Sequence, residues 1–386
     1  MDAVTRLLSD LVAIPSVNPM GRPLSGPGFL EVGMSDYLER WFRELGVPCE
    51  RQTVAPGRDN LLARYEAPDA RRTLLFDAHQ DTVPTDGMTI PPFVPAIVSG
   101  RLHGRGSCDI KGGMAAMLVA FARLVRERPR GSASVVMACT VDEEFTHTGS
   151  TLLAATPHGA DLAIIAEPTR LDLVNCHRGA VRWKIRARGV ACHSSTPHLG
   201  VNAIYRMAPV IAALAEHAED LSKAVPHPVL GPPSLSVGRI EGGVSVNVVP
   251  DWCEIEVDRR LIPGEVARET IARVERFLRD RLGGFEDLEF LPPWGVMPAL
   301  APDDMGSIDW VGDVGRAVAS ATGRTPRVTG VPYGTNAGPL SASGLPCLVF
   351  GPGDIAQAHT KDEWVELDQV RAAVDAYYQI ARDLGG

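Results

Sequence analysis

The stretch "ASVVMACTVDEE", Ala133 to Glu144, runs from an apolar segment straight into three adjacent acids. Its length and its valines suit a buried strand better than a helix. The acids Asp142, Glu143 and Glu144 repel one another unless water solvates them or something positive holds them. Either a solvated strand end or a cation-binding site satisfies that requirement.

The same shape recurs along the chain. "RTLLFDAHQD" (72–81) ends on His79 and Asp81, and "ADLAIIAEP" (160–168) on Glu167. "PCLVFGPG" (346–353) is followed shortly by His359. Asp109 sits in the Gly-rich "GRGSCDIKGG" (104–113), just before the amphipathic helix of "KGGMAAMLVAFARLVRER" (111–128). A first helix carries apolar residues at Val4, Leu7, Leu8, Leu11 and Val12 and is predicted to stop before Pro15. A second is predicted over Phe29 to Leu45, stopped by Gly46, and a last one from about Leu367. Alternating strands and helices define an α/β class. In such sheets ligands bind beyond the carboxyl ends of the strands. Acids and histidines placed there converge on one crevice, and a mixed N/O set suits Zn²⁺ or, less tightly, Co²⁺ or Mn²⁺. With two metals, a carboxylate bridges them, one of the paired glutamates is a ligand, and the other faces bound water.

The middle of the chain has a different period. "AVRWKIRARG" (180–189) and "DWCEIEVDRRL" (251–261) alternate every second residue, as half-exposed antiparallel strands do. Helical patterns at Val201 to Asp220 and Glu265 to Leu282 accompany them. The expectation is an α+β domain of ferredoxin-like type at 179–291, inserted into a catalytic domain made of 1–178 and 292–386.

The 386 residues are 45% hydrophobic and 22% charged with a net charge of −9, the balance of an ordinary globular chain. No basic block suggests a nucleic acid or an anionic membrane as partner, and no apolar run approaches the roughly 18 residues of a spanning helix. Seven scattered cysteines, an odd number with no CxxC pair, fit reduced thiols and a cytoplasmic location. The N-terminus lacks a basic start and a cleavage site, so no signal peptide is expected.

"FDAHQDTVP", "LHGRGSCDIKGGMAA", "TVDEE", "IIAEPT", "GVACHSSTPHLGVNAI" and "AHTKDEWV" together resemble the metallopeptidase M20 family, from the first helix to the last. The resemblance implies a di-zinc-exopeptidase-like catalytic domain and an inserted lid and dimerisation domain. It implies hydrolysis of an amide by a metal-bridging hydroxide. His79 and Glu167 are then ligands of one Zn²⁺, Glu144 and His359 of the other, and Asp109 bridges both. Asp81 orients the His79 imidazole, Glu143 is the general base, and the Asp109–Ile110 peptide is cis. His193 is implied as the donor to the tetrahedral oxyanion, often in the neighbouring subunit's site. Asn247 and Arg259 are implied to hold the substrate carboxylate. Two domains joined by short crossings lead to the expectation of hinge closure of the lid, and a free edge of the inserted sheet, with His193 acting in trans, to that of a homodimer.

"VPYGTNAGPL" places Thr335 and Asn336 at the expected substrate cleft, with the Gly351–Gly353 turn beside them. A neutral amide at 336, where many relatives carry an acid, argues against strict preference for acetylornithine. The expected substrate is an N-acyl amino acid, with a dipeptide or carboxypeptidase substrate as the alternative. A non-catalytic protein that binds amino-acid derivatives is a further class.

Overall fold

The computed structural model describes residues 1–283 and 288–386. The chain forms two compact units, one of 1–175, 300–330 and 335–386, the other of 176–299 and 331–334.

In chain order the first unit begins with α1 (Ala3–Ala13) and α2 (Val32–Leu45). Asp2 caps α1, accepting from the Thr5 N–H at 2.8 Å, and the helix ends at an extended Ile14 because Pro15 follows. α2 starts three residues later than its apolar pattern predicts, since Leu30 has a left-handed φ of 62° that no helix accommodates. Gly46, at φ 79°, closes it as expected.

Then come β1 (Cys49–Ala55), β2 (Arg58–Tyr65), β3 (Thr73–His79), β4 (Ala96–Val98) and β5 (Arg101–His103). They are followed by α3 (Gly112–Glu127), β6 (Ser134–Thr140), α4 (Thr148–Ala155), β7 (Leu162–Ile165) and β8 (Leu173–His177). The second unit holds β9 (Gly179–Arg188), β10 (Cys192–His193), α5 (Ala203–Ser222), β11 (Ser234–Gly242) and β12 (Val248–Val249). It continues with β13 (Trp252–Leu261), α6 (Ala267–Leu282), β14 (Leu288–Phe290) and β15 (Gly295–Met297). The chain closes with α7 (Trp310–Thr322), β16 (Val328–Val331), α8 (Ala337–Ala342), β17 (Cys347–Val349), β18 (Trp364–Glu366) and α9 (Leu367–Asp383).

The main sheet runs β1-β2-β6-β3-β7-β17-β8-β16. Its centre, β6-β3-β7-β17, is parallel, so four carboxyl ends point the same way. Along β3, Leu74, Phe76 and Ala78 enter the core formed with α1, α3, α7 and α9. The strand's alternation therefore turns Leu75, Asp77 and His79 to the opposite face. α3 packs tightly over the carboxyl end of β7: a Cβ on Gly113 would lie 2.9 Å from the Ala166 Cβ.

In the second unit the sheet is antiparallel, ordered β11-β13-β9-β14 with β15 also on β9. This βαββαβ order with α5 and α6 packed on the strands is the ferredoxin-like arrangement. Val181, Trp183, Ile185 and Ala187 face the helices. Between them Arg182, Lys184 and Arg186 pair with Asp258 (2.8 Å) and Glu254 (2.8 and 2.7 Å). Such half-exposed pairs are each worth under about 1 kcal/mol, so the buried stripe holds the unit and the ladder keeps its other face wet. The span 179–291 lies inside this unit, which continues to Ala299 because β15 pairs with Val181.

Gly113→Ala should lower stability by about 1–3 kcal/mol through overpacking against Ala166, read as a lowered urea midpoint. An unchanged midpoint would mean that α3 shifts freely on the sheet.

Candidate metal centre

Each parallel strand delivers at least one acid or histidine. His79 ends β3, Glu143 and Glu144 follow β6, Glu167 follows β7, and the loop beyond β17 reaches His359. Asp109 precedes α3, and the Asp109–Ile110 peptide is cis. All lie in the first unit.

Two groups of ligand atoms come together, each within 4.8 Å: His79, Asp109 and Glu167, and Asp109, Glu144 and His359. Asp109 stands between them, with Oδ1 3.2 Å from His79 Nε2 and Oδ2 3.2 Å from His359 Nε2. His359 Nε2 is also 3.1 Å from Glu144 Oε2. Ligands about 2.0–2.2 Å from one tetrahedral ion are themselves ~3.3–3.6 Å apart, so these spacings fall slightly inside those of a pair of shared-carboxylate sites. Glu143 belongs to neither group; its Oε2 is 4.0 Å from His79 Nε2 and its Oε1 3.6 Å from His147 Nδ1.

The electrostatics make the same point. Asp109, Glu143 and Glu167 are buried, and among the described residues no arginine or lysine pairs with them or with Glu144. Neighbouring cations are engaged elsewhere: Arg58 with Glu31 (3.1 Å) and Asp142 (2.7 Å), and Lys111 Nζ with the Ile14 carbonyl (2.7 Å). Burial, then the repulsion of neighbouring acids, drives Glu143 and Glu167 far above the usual carboxylate range and Glu144 to about 7. Burial also pushes Asp109 upward, but hydrogen bonds from His359 and His79 outweigh it and hold the carboxyl low. Burial opposes charge on both histidines, yet Asp109 with Asp81 raises His79, and Asp109 with Glu144 raises His359 to about 11. Glu144 Oε1 is buried without a hydrogen-bond partner. The residues therefore fit divalent cations, which would supply the missing positive charge.

The remaining expected residues are placed differently. His79 Nδ1 bonds the Asp81 backbone carbonyl at 2.9 Å, while the Asp81 carboxylate is 3.5 Å away. That carboxylate also accepts the Glu143 and Glu144 N–H groups (3.1 and 3.2 Å). Asn336 is buried: its Nδ2 donates to Asp77 Oδ2 (2.9 Å) and Thr140 Oγ1 (3.0 Å). Thr335 is buried as well, and its hydroxyl accepts from the Ala337 N–H at 3.1 Å. Both side chains are buried at the start of α8, Asn336 with its amide bonded to Asp77 and Thr140 and its Oδ1 without a hydrogen-bond partner. The neutral amide at 336 thus carries no argument about substrate charge.

His193, Asn247 and Arg259 belong to the second unit. His193 is exposed, and its Nδ1 accepts the Ser195 N–H at 3.1 Å, which leaves the ring proton on Nε2. Asn247 is exposed with its Oδ1 accepting from Ser245 (2.6 Å). Arg259 is buried and paired with Glu265 at 2.7 Å, so its guanidinium already holds a carboxylate of the chain.

Asn18 and Arg58, which carry no local sequence signal, hold the Glu143–Glu144 loop through Asp142, the first of the three adjacent acids. Asn18 Nδ2 donates to Asp81 and to Asp142, 2.9 Å each. Asp142, itself at φ 63°, also accepts from Arg58 (2.7 Å), Thr148 (2.6 Å) and Thr146. Positions 18, 58 and 142 meet only in the folded chain.

Fold and donor set together define a metal-dependent hydrolase. The sequence profile of peptidase family M20/M25/M40 matches residues 75–383. The acetylornithine deacetylase of Vibrio campbellii is 32% identical over 348 residues, covering 88% of each chain. That of Myxococcus xanthus is 31% identical over 100% of this chain and 99% of its own. Among solved structures, an M20 family metallo-carboxypeptidase from Sulfolobus solfataricus superposes with a TM-score of 0.79 at 19% identity, covering 99% of both chains. A dinuclear metal-binding M20 peptidase from Bacillus subtilis gives 0.67 at 17%, over 98% and 96%. The chain belongs to peptidase family M20/M25/M40, and it is a metal-dependent enzyme of amide hydrolysis.

The metal-free chain should lose stability as pH rises. Glu144, Glu31 and Asp77 are raised to about 7, 8 and 6 from 4.5, 4.5 and 3.8, chiefly by burial, so the folded state holds their protons more tightly. His359, raised from 6.5 to about 11, has the same sign. Between about pH 5 and 8 the Tm of chelator-treated protein should therefore fall, while the increment from added Zn²⁺ grows, because ligands must shed protons to bind. A zinc increment that shrinks with pH would contradict this.

Proposed function

We propose that the chain releases an amino acid from an N-acyl amino acid by hydrolysing its amide bond. The position of Glu143 carries this reading, since it is a buried carboxylate beside two ligand groups and a member of neither. Acetylornithine deacetylases being the relatives at 31–32% identity supports an acyl amide as the substrate class.

His79, Asp109 and Glu167 would hold one ion and Asp109, Glu144 and His359 the second, with zinc favoured by the N/O donors. Ions so bound polarise an amide carbonyl and bring the pKa of water from 15.7 towards ~7. Glu143 takes the proton that water gives up and passes it to the departing nitrogen, so that water's elements end on a carboxylate and an amine. Burial and the neighbouring acids raise its proton affinity, which suits a group that must accept a proton and then donate it. The Asp81 carboxylate fixes the loop that aims Glu143 by accepting both glutamate N–H groups. On the second unit the Nε2–H of His193 is proposed as the donor to the oxyanion, an interaction typically worth about 3–4 kcal/mol in the transition state. Asn247 and Arg259 are proposed for the substrate carboxylate, Arg259 on release from Glu265. The seven cysteines are all free thiols, which supports a reducing, cytoplasmic setting. A homodimer formed through the second unit, acting as a lid, completes the reading.

Glu143→Gln should retain the wild-type metal content and lose about 10²- to 10⁴-fold in kcat. Assay of zinc-loaded protein over N-acetyl amino acids and dipeptides identifies the substrate class. Turnover of dipeptides alone would replace deacylation with peptidase action. A fully active Glu143→Gln would overturn the assignment of the base.

A further inference from the structure

We propose that Glu363 is a positioning residue of the metal centre: its buried carboxylate fixes the loop that presents Asp109 and ties it to the segment that carries His359. The proposal rests on the metal reading of the cluster and adds a residue outside both ligand groups.

Glu363 is 1% exposed, and both of its oxygens are engaged. Oε1 accepts the N–H groups of Cys108 (2.9 Å) and of Asp109 itself (3.1 Å). Oε2 accepts from the Gly106 N–H (3.0 Å) and Arg105 Nη1 (2.6 Å). The Glu363 backbone carbonyl takes the Gly104 N–H at 3.0 Å, so side chain and main chain grip the same loop. Arg105, 3% exposed, supplies the compensating charge and is held in turn by the Pro84 carbonyl at 3.2 Å.

The chain geometry makes this grip reach both ligand groups. Directly after Glu363, β18 pairs antiparallel with β5, Trp364 opposite His103. His359 lies just upstream of Glu363, and Asp109 just downstream of β5. The short β18-β5 pairing thus brings two ligand-bearing loops side by side, and the Glu363 carboxylate closes them at the ligand end. Asp109 is the one residue common to both ligand groups, so a loose 104–109 loop disturbs both sites at once. A carboxylate accepting several N–H groups is a strong fixed anchor, because each bond is charge-assisted and shielded from water. Glu363→Gln removes half of it: the amide NH₂ must face either Arg105 and Gly106 or Cys108 and Asp109, donor against donor.

The test uses the full chain, stripped with chelator and titrated with Zn²⁺ by calorimetry, and with Co²⁺ followed by its visible d–d bands. Wild type is expected to bind both ions. Glu363→Gln, with wild-type near-UV circular dichroism, is expected to bind Zn²⁺ about 10- to 100-fold more weakly and to give altered Co²⁺ bands. A role confined to folding would leave the Co²⁺ bands of the folded protein unchanged. Folded Glu363→Gln with wild-type affinity and spectrum overturns the proposal. Should Glu363→Gln not fold, Glu363→Asp, which keeps the charge but is one methylene too short to reach all four N–H donors, is read in the same way: weakened binding with shifted bands supports the proposal, and wild-type values overturn it. A wild-type chain that binds neither ion sinks the metal reading itself, before any variant is compared.

Discussion

Four carboxylates gathered in one dry place are the constraint on which this structure depends. Asp109, Glu143, Glu144 and Glu167 converge where water cannot solvate them, with two histidines and no arginine or lysine paired to them among the described residues. A buried, uncompensated charge is among the costliest arrangements a protein can keep. Protonation relieves it when metal is absent, which is why burial and mutual repulsion raise the glutamates. Divalent cations relieve it far more fully. The cations the chain does own are anchored to other partners: Arg58 to Glu31 and Asp142, Arg105 to Glu363, and Lys111 to a backbone carbonyl.

The surrounding framework fixes those acids against their own repulsion. Parallel strands β6, β3 and β7 end together, and their backbones are committed to the sheet. Beyond the strand ends, other carboxylates act on the backbone: Asp81 on the Glu143–Glu144 loop and Glu363 on the loop of Asp109. Asn18 joins Asp81 to Asp142 through one amide group. Charges that touch no metal thus set the geometry of those that would.

Much of this was legible from pattern alone. Helical spacing located α1 and α3, period-two alternation β9 and β13, and continuous apolar runs β3 and β6, because burial on one face or on both leaves a direct mark on composition. Strand-terminal acids and histidines marked the centre, because an apolar run ending in charge is costly unless the charge has a use. The start of α2 was misjudged, since apolar spacing cannot register the left-handed turn at Leu30. Asn336 and Thr335, expected at a cleft, are buried at the start of α8, because a polar residue in a loop reads alike whether it faces a ligand or a buried Asp77.

By itself the sequence determined the α/β class and the antiparallel insertion through local period, marked candidate ligands by residue type at strand ends, and identified the family through its motifs. Local chemistry does not separate Glu143 from Glu144, and the motif resemblance alone implied their roles; the tertiary structure gives the geometric reason, with Glu144 inside one ligand group and Glu143 outside both. It alone brought Asn18 and Arg58 to Asp142, set the Asp81 carboxylate on two N–H groups, and closed Glu363 over Asp109. These are hydrogen bonds between residues distant in sequence. Their partners are selected by which loops the sheet brings together, and no local stretch of the chain encodes that.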